Sequence, residues 1–315
     1  MEYLHTKMKT SHPKSKHILV NLLLLFFAIS SFNRVNYAQD RIQTEHQATQ
    51  SAPHRISKYK SSFQIHNELC KDASDRFPIE AWQNLLDQVL DQQGQVNYTL
   101  LQTGPLHLQF QALVNTIYHT KIDLDPSPCT QLAYWINTYN VLTIKQVLDY
   151  PNLTSVATAI NKAPRYAFFK QKQHIINQKT YSLDDIEHRV IRAKFKEPRI
   201  HFALNCASQS CPRLHHEPYR ASDLNRQLEK VSRHFINDPK RNRAFGQVWQ
   251  LSKIFFWYKK DFQSASKKKE QVNSVQSFIE AYLDASHFTQ IKTASLAIKI
   301  EYLEYDWSLN GESPK

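Results

Sequence analysis

Between Pro126-Ser127-Pro128 and Pro151 runs a stretch, QLAYWINTYNVLTIKQVLDY, that is apolar on almost every side. A helix of that kind has no face to give to water, so other elements must surround it. The prolines set its limits, because proline suits a first helical turn and stops a helix that runs into it. The chain is therefore expected to wrap one long buried helix, around Trp135, in further layers. Its 315 residues, 41% of them hydrophobic, are enough to do so.

The layers can be read on either side of that helix. Trp82, Leu85, Leu86, Val89 and Leu90 recur at helical spacing after Pro78, with Gly94 as the stop. HIINQKTY, at 174–181, alternates around Asn177-Gln178 and predicts a small hairpin. Ser182-Leu183-Asp184-Asp185 has the spacing of a capping box and opens a helix with Leu183, Ile186 and Val190 as its apolar stripe, Glu187 and Ile191 at the edge. Residues 199–204 read as a strand, with Ile200, Phe202, Leu204 and Cys206 on one side and Arg199, His201 and Asn205 on the other. Helices over 224–235, from Ser252 and over 275–283, a short strand near 247–251 and a final alternating strand, Ile298 to Tyr302, complete the chain. The fold class these elements imply is α+β: a predominantly helical single domain with a small β-sheet holding the 199–204 and C-terminal strands.

Ahead of this domain, residues 18–29 (ILVNLLLLFFAI) are nearly all apolar and follow Lys7, Lys9, Lys14 and Lys16, the order of a secretory signal. The run is short for a bilayer span. The reading is a signal peptide over 1–38, cleaved after Ala38, with an uncleaved anchor as the alternative. Residues 39–75 are polar and read as a linker or loosely packed arm, 76–311 as the domain, and 312–315 as a tail. The expected location is exported, periplasmic or secreted, with no stable membrane insertion after signal removal.

The formal charge of +12 drops to +8 without residues 1–38, which hold five basic residues and one acid. Outside the cytoplasm that charge suits anionic envelope polymers or a small ligand rather than nucleic acid, with a scattered solvated surface as the plain alternative. Only 4 Gly, and no G-x-G-x-x-G or Walker loop, argue against a glycine-cradled nucleotide site. No cofactor is expected.

Chemistry concentrates around Cys206, just past the 199–204 strand, with Asn205, Ser208, Ser210 and Cys211 beside it. A thiol nucleophile needs a base, and the base an orienting group. Strand alternation turns His201 away from Cys206. His188 is the better partner, with Asp184 one turn back to hold its ring, or Glu187 in that role. The reading is a Cys-His hydrolase or acyltransferase acting on amide, thioester or ester bonds. Against it stands a Cys206–Cys211 disulfide, the commoner state of a close pair in an oxidising compartment. Dithiol exchange is a further alternative, at a wider spacing than C-x-x-C. Metal binding by Cys206, Cys211, His201, His215 and His216 fits no standard zinc spacing, so no metal is assigned.

Asn137, Asn140, Arg199, His201 and Asn205 are candidate ligand-binding residues. The two asparagines, three apart on one helix face, equally suit tying loops to the helix, and Arg199 suits an ion pair with Glu187. Asp306 and Asn310 are expected to lock the terminus onto the body.

Five ordered motifs carry a likeness to a known family. They are Tyr134-Trp135-Ile136-Asn137-Thr138-Tyr139-Asn140; Ser182 to His188; Arg199 to Ser208 with Ser210-Cys211-Pro212; Leu251 to Phe255 with Trp257-Tyr258; and Tyr302 to Asn310. Together, over roughly residues 76–311, the chain resembles the domain of unknown function 547 family. The resemblance implies a shared fold and single-domain organisation, and no established activity. A binding domain for an envelope polymer, peptide or small ligand therefore stands beside the thiol enzyme.

Overall fold

The long apolar stretch forms a helix over Pro128–Leu148, begun by Ser127, whose hydroxyl accepts the Thr130 amide, and buried along nearly its whole length. A computed structural model of the chain describes residues 67–157, 166–245, 248–264, 274–284 and 298–312. The segment read as a signal peptide and most of the polar arm lie outside the described residues. Among those described, no helix is long and apolar enough to cross a membrane.

The Gly104–His119 helix packs between the central helix and Ile79–Val89, and the Leu224–Ile236 helix carries Ser274–Tyr282 against it. The Gly104–His119 helix is not among those the sequence predicts. The hairpin forms as its turn residues require. His174–Ile176 pairs antiparallel with Lys179–Tyr181, and Asn177 and Gln178 both take positive φ, the geometry of a tight primed turn. The fold is α+β and mostly helical.

Its sheets differ from expectation: a short parallel pair, Val96–Asn97 with Gly311–Glu312, is not among the predicted strands, and the main sheet has a different membership. The C-terminal strand Lys299–Tyr302 runs parallel to Val248–Leu251, which pairs antiparallel with Arg243–Phe245. Residues 199–204 are not in this sheet. Pro198–Phe202 is a 3-10 helix, all five of its residues buried, with the Glu197 side chain accepting the Arg199 amide at 3.1 Å. It passes between the central helix, whose Asn140 amide donates to the Ala203 carbonyl at 3.0 Å, and the Leu224–Ile236 helix, where Phe202 stacks on Phe235. A buried strand would need neighbouring strands for its amides, whereas 3-10 bonds satisfy them locally.

The capping box forms as spaced: the Asp185 amide donates to Ser182 Oγ at 3.0 Å and the Ser182 amide to Asp185 Oδ2 at 3.1 Å. Beyond this cap the chain winds as a π-helix over Asp185–Arg192, returning to α over Ala193–Phe195. The wider turn changes which residues face inward. Ile191, five beyond Ile186, is fully buried, and Val190, four beyond it, is left at the margin. π-helical segments are rare and frequently mark functional sites.

The disulfide falls elsewhere than expected. Cys70 and Cys129 are bonded, joining the end of the supposed arm to the first turn of the central helix, while Cys206 and Cys211 are both free. Residues 67–75 are thus anchored, with Cys70 fully buried. At the other end, Asn310 donates its amide to Ala207 O and accepts the Tyr98 hydroxyl at 2.7 Å, and the Ser210 amide reaches Asp306 O. Both residues fasten the tail to the loop that carries Cys206.

Candidate active site

Past the 3-10 helix the chain turns sharply. The Asn205 amide donates to Asn140 Oδ1 at 2.8 Å, Asn205 Oδ1 accepts the Ala207 amide, and its Nδ2 donates to Pro212 O. Ala207 takes φ +61. The loop from Asn205 to Pro212 is thereby closed on itself, with Cys206 on its inner rim. Because both functional groups of Asn205 and Asn140 are spent on backbone, they position the loop and are not free for a ligand. Asn137 is used likewise, donating to Tyr219 O at 2.7 Å and accepting the Tyr219 amide at 2.9 Å.

The Cys206 thiol lies 3.2 Å from Ser208 Oγ and 3.5 Å from the Tyr305 hydroxyl, and its own amide donates to Cys211 Sγ at 2.7 Å. Burial alone would raise its pKa. Hydrogen bonds from Cys211, Ser208 and Tyr305 outweigh it and bring the thiol down to about 7. Cys211 moves the opposite way, raised by burial, then by its hydrogen bond with Cys206 and by the Cys206 charge. A thiol at about 7 is substantially thiolate at neutral pH, the form that is nucleophilic.

Cys206 and Cys211 open onto a cavity of about 510 Å³. One wall is aromatic: Trp257, Tyr305 and Trp307 pack with ring centroids 4.5–5.5 Å apart, and Tyr166 lies 5.2 Å from Trp307. The other is polar and comes from the π-helix and the residue that precedes it, which bring Asp184, Glu187, His188 and Arg192 to the same cavity. Glu187 is held by the Tyr258 hydroxyl at 2.5 Å and the Tyr139 hydroxyl at 3.4 Å. Tyr258, its pKa pushed up by burial and then by the Glu187 charge, stays protonated as the donor.

His188 is placed with Asp184, as the sequence suggests, with Nε2 3.5 Å from Asp184 Oδ1. Its other nitrogen decides its role. Nδ1 lies 2.9 Å from Arg192 Nη1, and a guanidinium only donates, so Nδ1 accepts and the neutral ring carries its proton on Nε2. The hydrogen bonds of Cys206 run to Ser208 and Tyr305, not to a histidine. His188 shares the cavity with the thiol without being bonded to it.

His201 also lines the cavity, contrary to the strand alternation that turns it away. Its Nε2–H donates to Asp261 Oδ2 at 2.7 Å and the ring stacks on Tyr258 at 3.7 Å. Burial lowers its pKa, and the Asp261 hydrogen bond only partly offsets this. Asp261 accepts two more bonds from Arg192, at 2.7 and 2.9 Å, and these with His201 hold its carboxyl well below the usual range despite burial. Arg199 takes no part. It is buried against Glu197 in a two-pronged ion pair, both contacts 2.8 Å, and not against Glu187.

Tyr258, Tyr305, Arg192, Asp261 and the two tryptophans are not among the site residues that sequence reasoning finds. The Trp257-Tyr258 and Tyr302–Asn310 segments do stand out as family-like motifs, and that is the available signal.

The family model described as "Protein of unknown function, DUF547" matches residues 126–236. The match supports the resemblance and spans the central helix, the π-helix and the Cys206 loop. It does not extend to Trp257, Tyr258, Tyr305 or Trp307. No curated protein and no solved structure matches the chain.

Proposed function

We propose that this protein is a thiol-dependent enzyme that hydrolyses or transfers acyl groups from amide, thioester or ester bonds, with Cys206 as nucleophile. One observation carries the reading: a free thiol, acidified to about 7, opens onto a cavity large enough for a small substrate. A thiolate so formed needs no base at the moment of attack. Its sulfur bonds to the acyl carbon, the carbonyl pair moves to oxygen, and collapse expels the leaving group with the bonding pair, to be protonated from water. Water, or a second acceptor, then displaces the thiolate from the thioester.

The developing oxyanion must meet a donor. The amides of Cys206 and Ala207 are committed to Cys211 Sγ and Asn205 Oδ1, so the donor comes from a side chain of the polar wall. His188, neutral with its proton on Nε2, is suited to that electrophilic role rather than to the role of base. Glu187 and Asp184 then orient the wall.

A second reading, a binding domain for a peptide, envelope polymer or small ligand, is favoured by the Trp257–Tyr305–Trp307 wall, where Trp257 remains 42% exposed. Export belongs to the same proposal: the Lys-flanked apolar segment at 18–29 and the Cys70–Cys129 disulfide both support an oxidising compartment.

A panel of p-nitrophenyl esters and peptidyl thioesters, assayed with wild type, Cys206→Ala and His188→Gln, tests the reading. The expected result is an acyl-enzyme burst in wild type, none in Cys206→Ala, and partial retention in His188→Gln, which keeps a donor. Turnover by Cys206→Ala equal to wild type would sink it; ligand binding with no turnover in any protein would favour the binding domain.

A further inference from the structure

We propose that Cys206 and Cys211 form a dithiol that reduces hydroperoxides, with Cys206 taking the oxygen and Cys211 closing the disulfide. This goes beyond acyl transfer and shares with it only the reading of Cys206 as a reactive thiolate. In this one chain, two cysteines are bonded and two face the same cavity as free thiols. The second pair is already in contact, since Cys211 Sγ accepts the Cys206 amide at 2.7 Å across a closed loop. The loop closes through Asn205, whose side chain bonds both Ala207 and Pro212, so the two thiols are held at its two ends.

The two sulfurs are unequal, as such a reaction requires. Cys206 is part-exposed at the cavity rim, with hydroxyl partners from Ser208 and Tyr305. Cys211 is buried, 4% exposed, with its thiol directed at the Leu204 carbonyl 3.7 Å away. A small oxidant therefore meets Cys206 first, while Cys211 stays a protonated thiol beside it. Low-pKa, accessible thiols next to a second cysteine are the ones that oxidise reversibly.

The chemistry balances. The Cys206 thiolate attacks the terminal oxygen of a hydroperoxide; an S–O bond forms, the O–O bond breaks, and the departing alkoxide or hydroxide takes a proton to leave as alcohol or water. Sulfur has lost two electrons and the peroxide has gained two. Cys211 then attacks the sulfenic sulfur, forming the S–S bond, and hydroxide leaves with the Cys211 proton as water. Two molecules of a small thiol return the pair to the dithiol and are themselves joined as a disulfide. Unlike an acyl substrate, a hydroperoxide needs no oxyanion donor, only access to sulfur and a proton for the leaving oxygen.

The test uses the full chain and one equivalent of hydrogen peroxide, with dimedone present to trap sulfenic acid. In wild type, both free thiols are expected to disappear and the 206–211 peptide to lose the mass of two hydrogens, with little dimedone adduct. Cys211→Ser should instead accumulate the adduct at Cys206, and Cys206→Ser should show neither change. Because Cys211→Ser alters a buried position, its near-UV circular dichroism is compared with wild type, and the wild-type peptide map stands without it. Survival of both thiols in wild type, or a wild-type adduct at Cys206 with Cys211 still free, overturns the proposal. A disulfide without ester turnover refutes acyl transfer alone; ester turnover without a disulfide refutes the dithiol alone.

Discussion

A buried thiol is ordinarily less acidic than one in water, because burial penalises its anion. Cys206 departs from that rule through the donors around it, and Tyr305 is the one contributed from far along the chain. Replacing Tyr305 by Phe removes that donor and keeps the ring. The thiol's pKa then rises from about 7 toward the ordinary thiol range. Since only the thiolate is alkylated, the iodoacetamide rate should fall several-fold at pH 7 and converge with wild type at alkaline pH, where both thiols are ionised. A pH–rate profile whose midpoint does not move would show that Tyr305 does not stabilise the anion.

The π-helix Asp185–Arg192 determines which side chains share the cavity. An α-helical reading of this segment buries Val190 with Ile186. The wider turn buries Ile191 instead, and places His188 between Asp184 and Arg192. Deleting Arg189, whose side chain is 74% exposed, leaves Ile186 and Ile191 four residues apart, as an α-helix requires. The lost ion pair joins an exposed arginine to the buried Asp185, which keeps the Ser182 amide and Lys172 as partners, so its loss costs about 1 kcal/mol. The shortened protein should keep its far-UV helicity and most of its thermal stability but lose ester turnover, because the residues after the deletion rotate relative to Asp184 and Glu187. Loss of folding together with turnover would mean that the π segment is needed for packing.

At the scale of the molecule there are two long-range fastenings: the docked tail, which bonds the Cys206 loop, and the Cys70–Cys129 disulfide, which joins the chain near residue 70 to the first turn of the central helix. The disulfide spans 59 residues, and in the loop-entropy model a loop of that length contributes about 4 kcal/mol. The Cys70→Ala, Cys129→Ala double variant should unfold at markedly lower urea concentration while its Cys206 alkylation rate in the folded state is unchanged; a changed rate would tie the disulfide to the site.

Much of this is legible in the sequence. The central helix, the capping box, the hairpin and the C-terminal strand come from local rules: apolar spacing, proline and asparagine turn chemistry, and alternation. Those rules act over a few residues, so the chain alone determined them, and with them the mostly helical class. The 199–204 segment escapes because alternation and full burial look alike in a short apolar run, and only the surrounding helices make a 3-10 turn the cheaper way to satisfy its backbone. Cys206, His188, Glu187 and Asp184 are found by residue type and brought to one cavity by the fold. Tyr305, Tyr258 and Asp261 are not, because what matters about them is proximity across 60 to 99 residues of chain. Local chemistry in the sequence determined which elements form and singled out the candidate nucleophile. The tertiary structure alone decided which cysteines pair, which way the π-helix turns its polar face, and whose hydroxyl meets the Cys206 sulfur, because those depend on distances that packing sets.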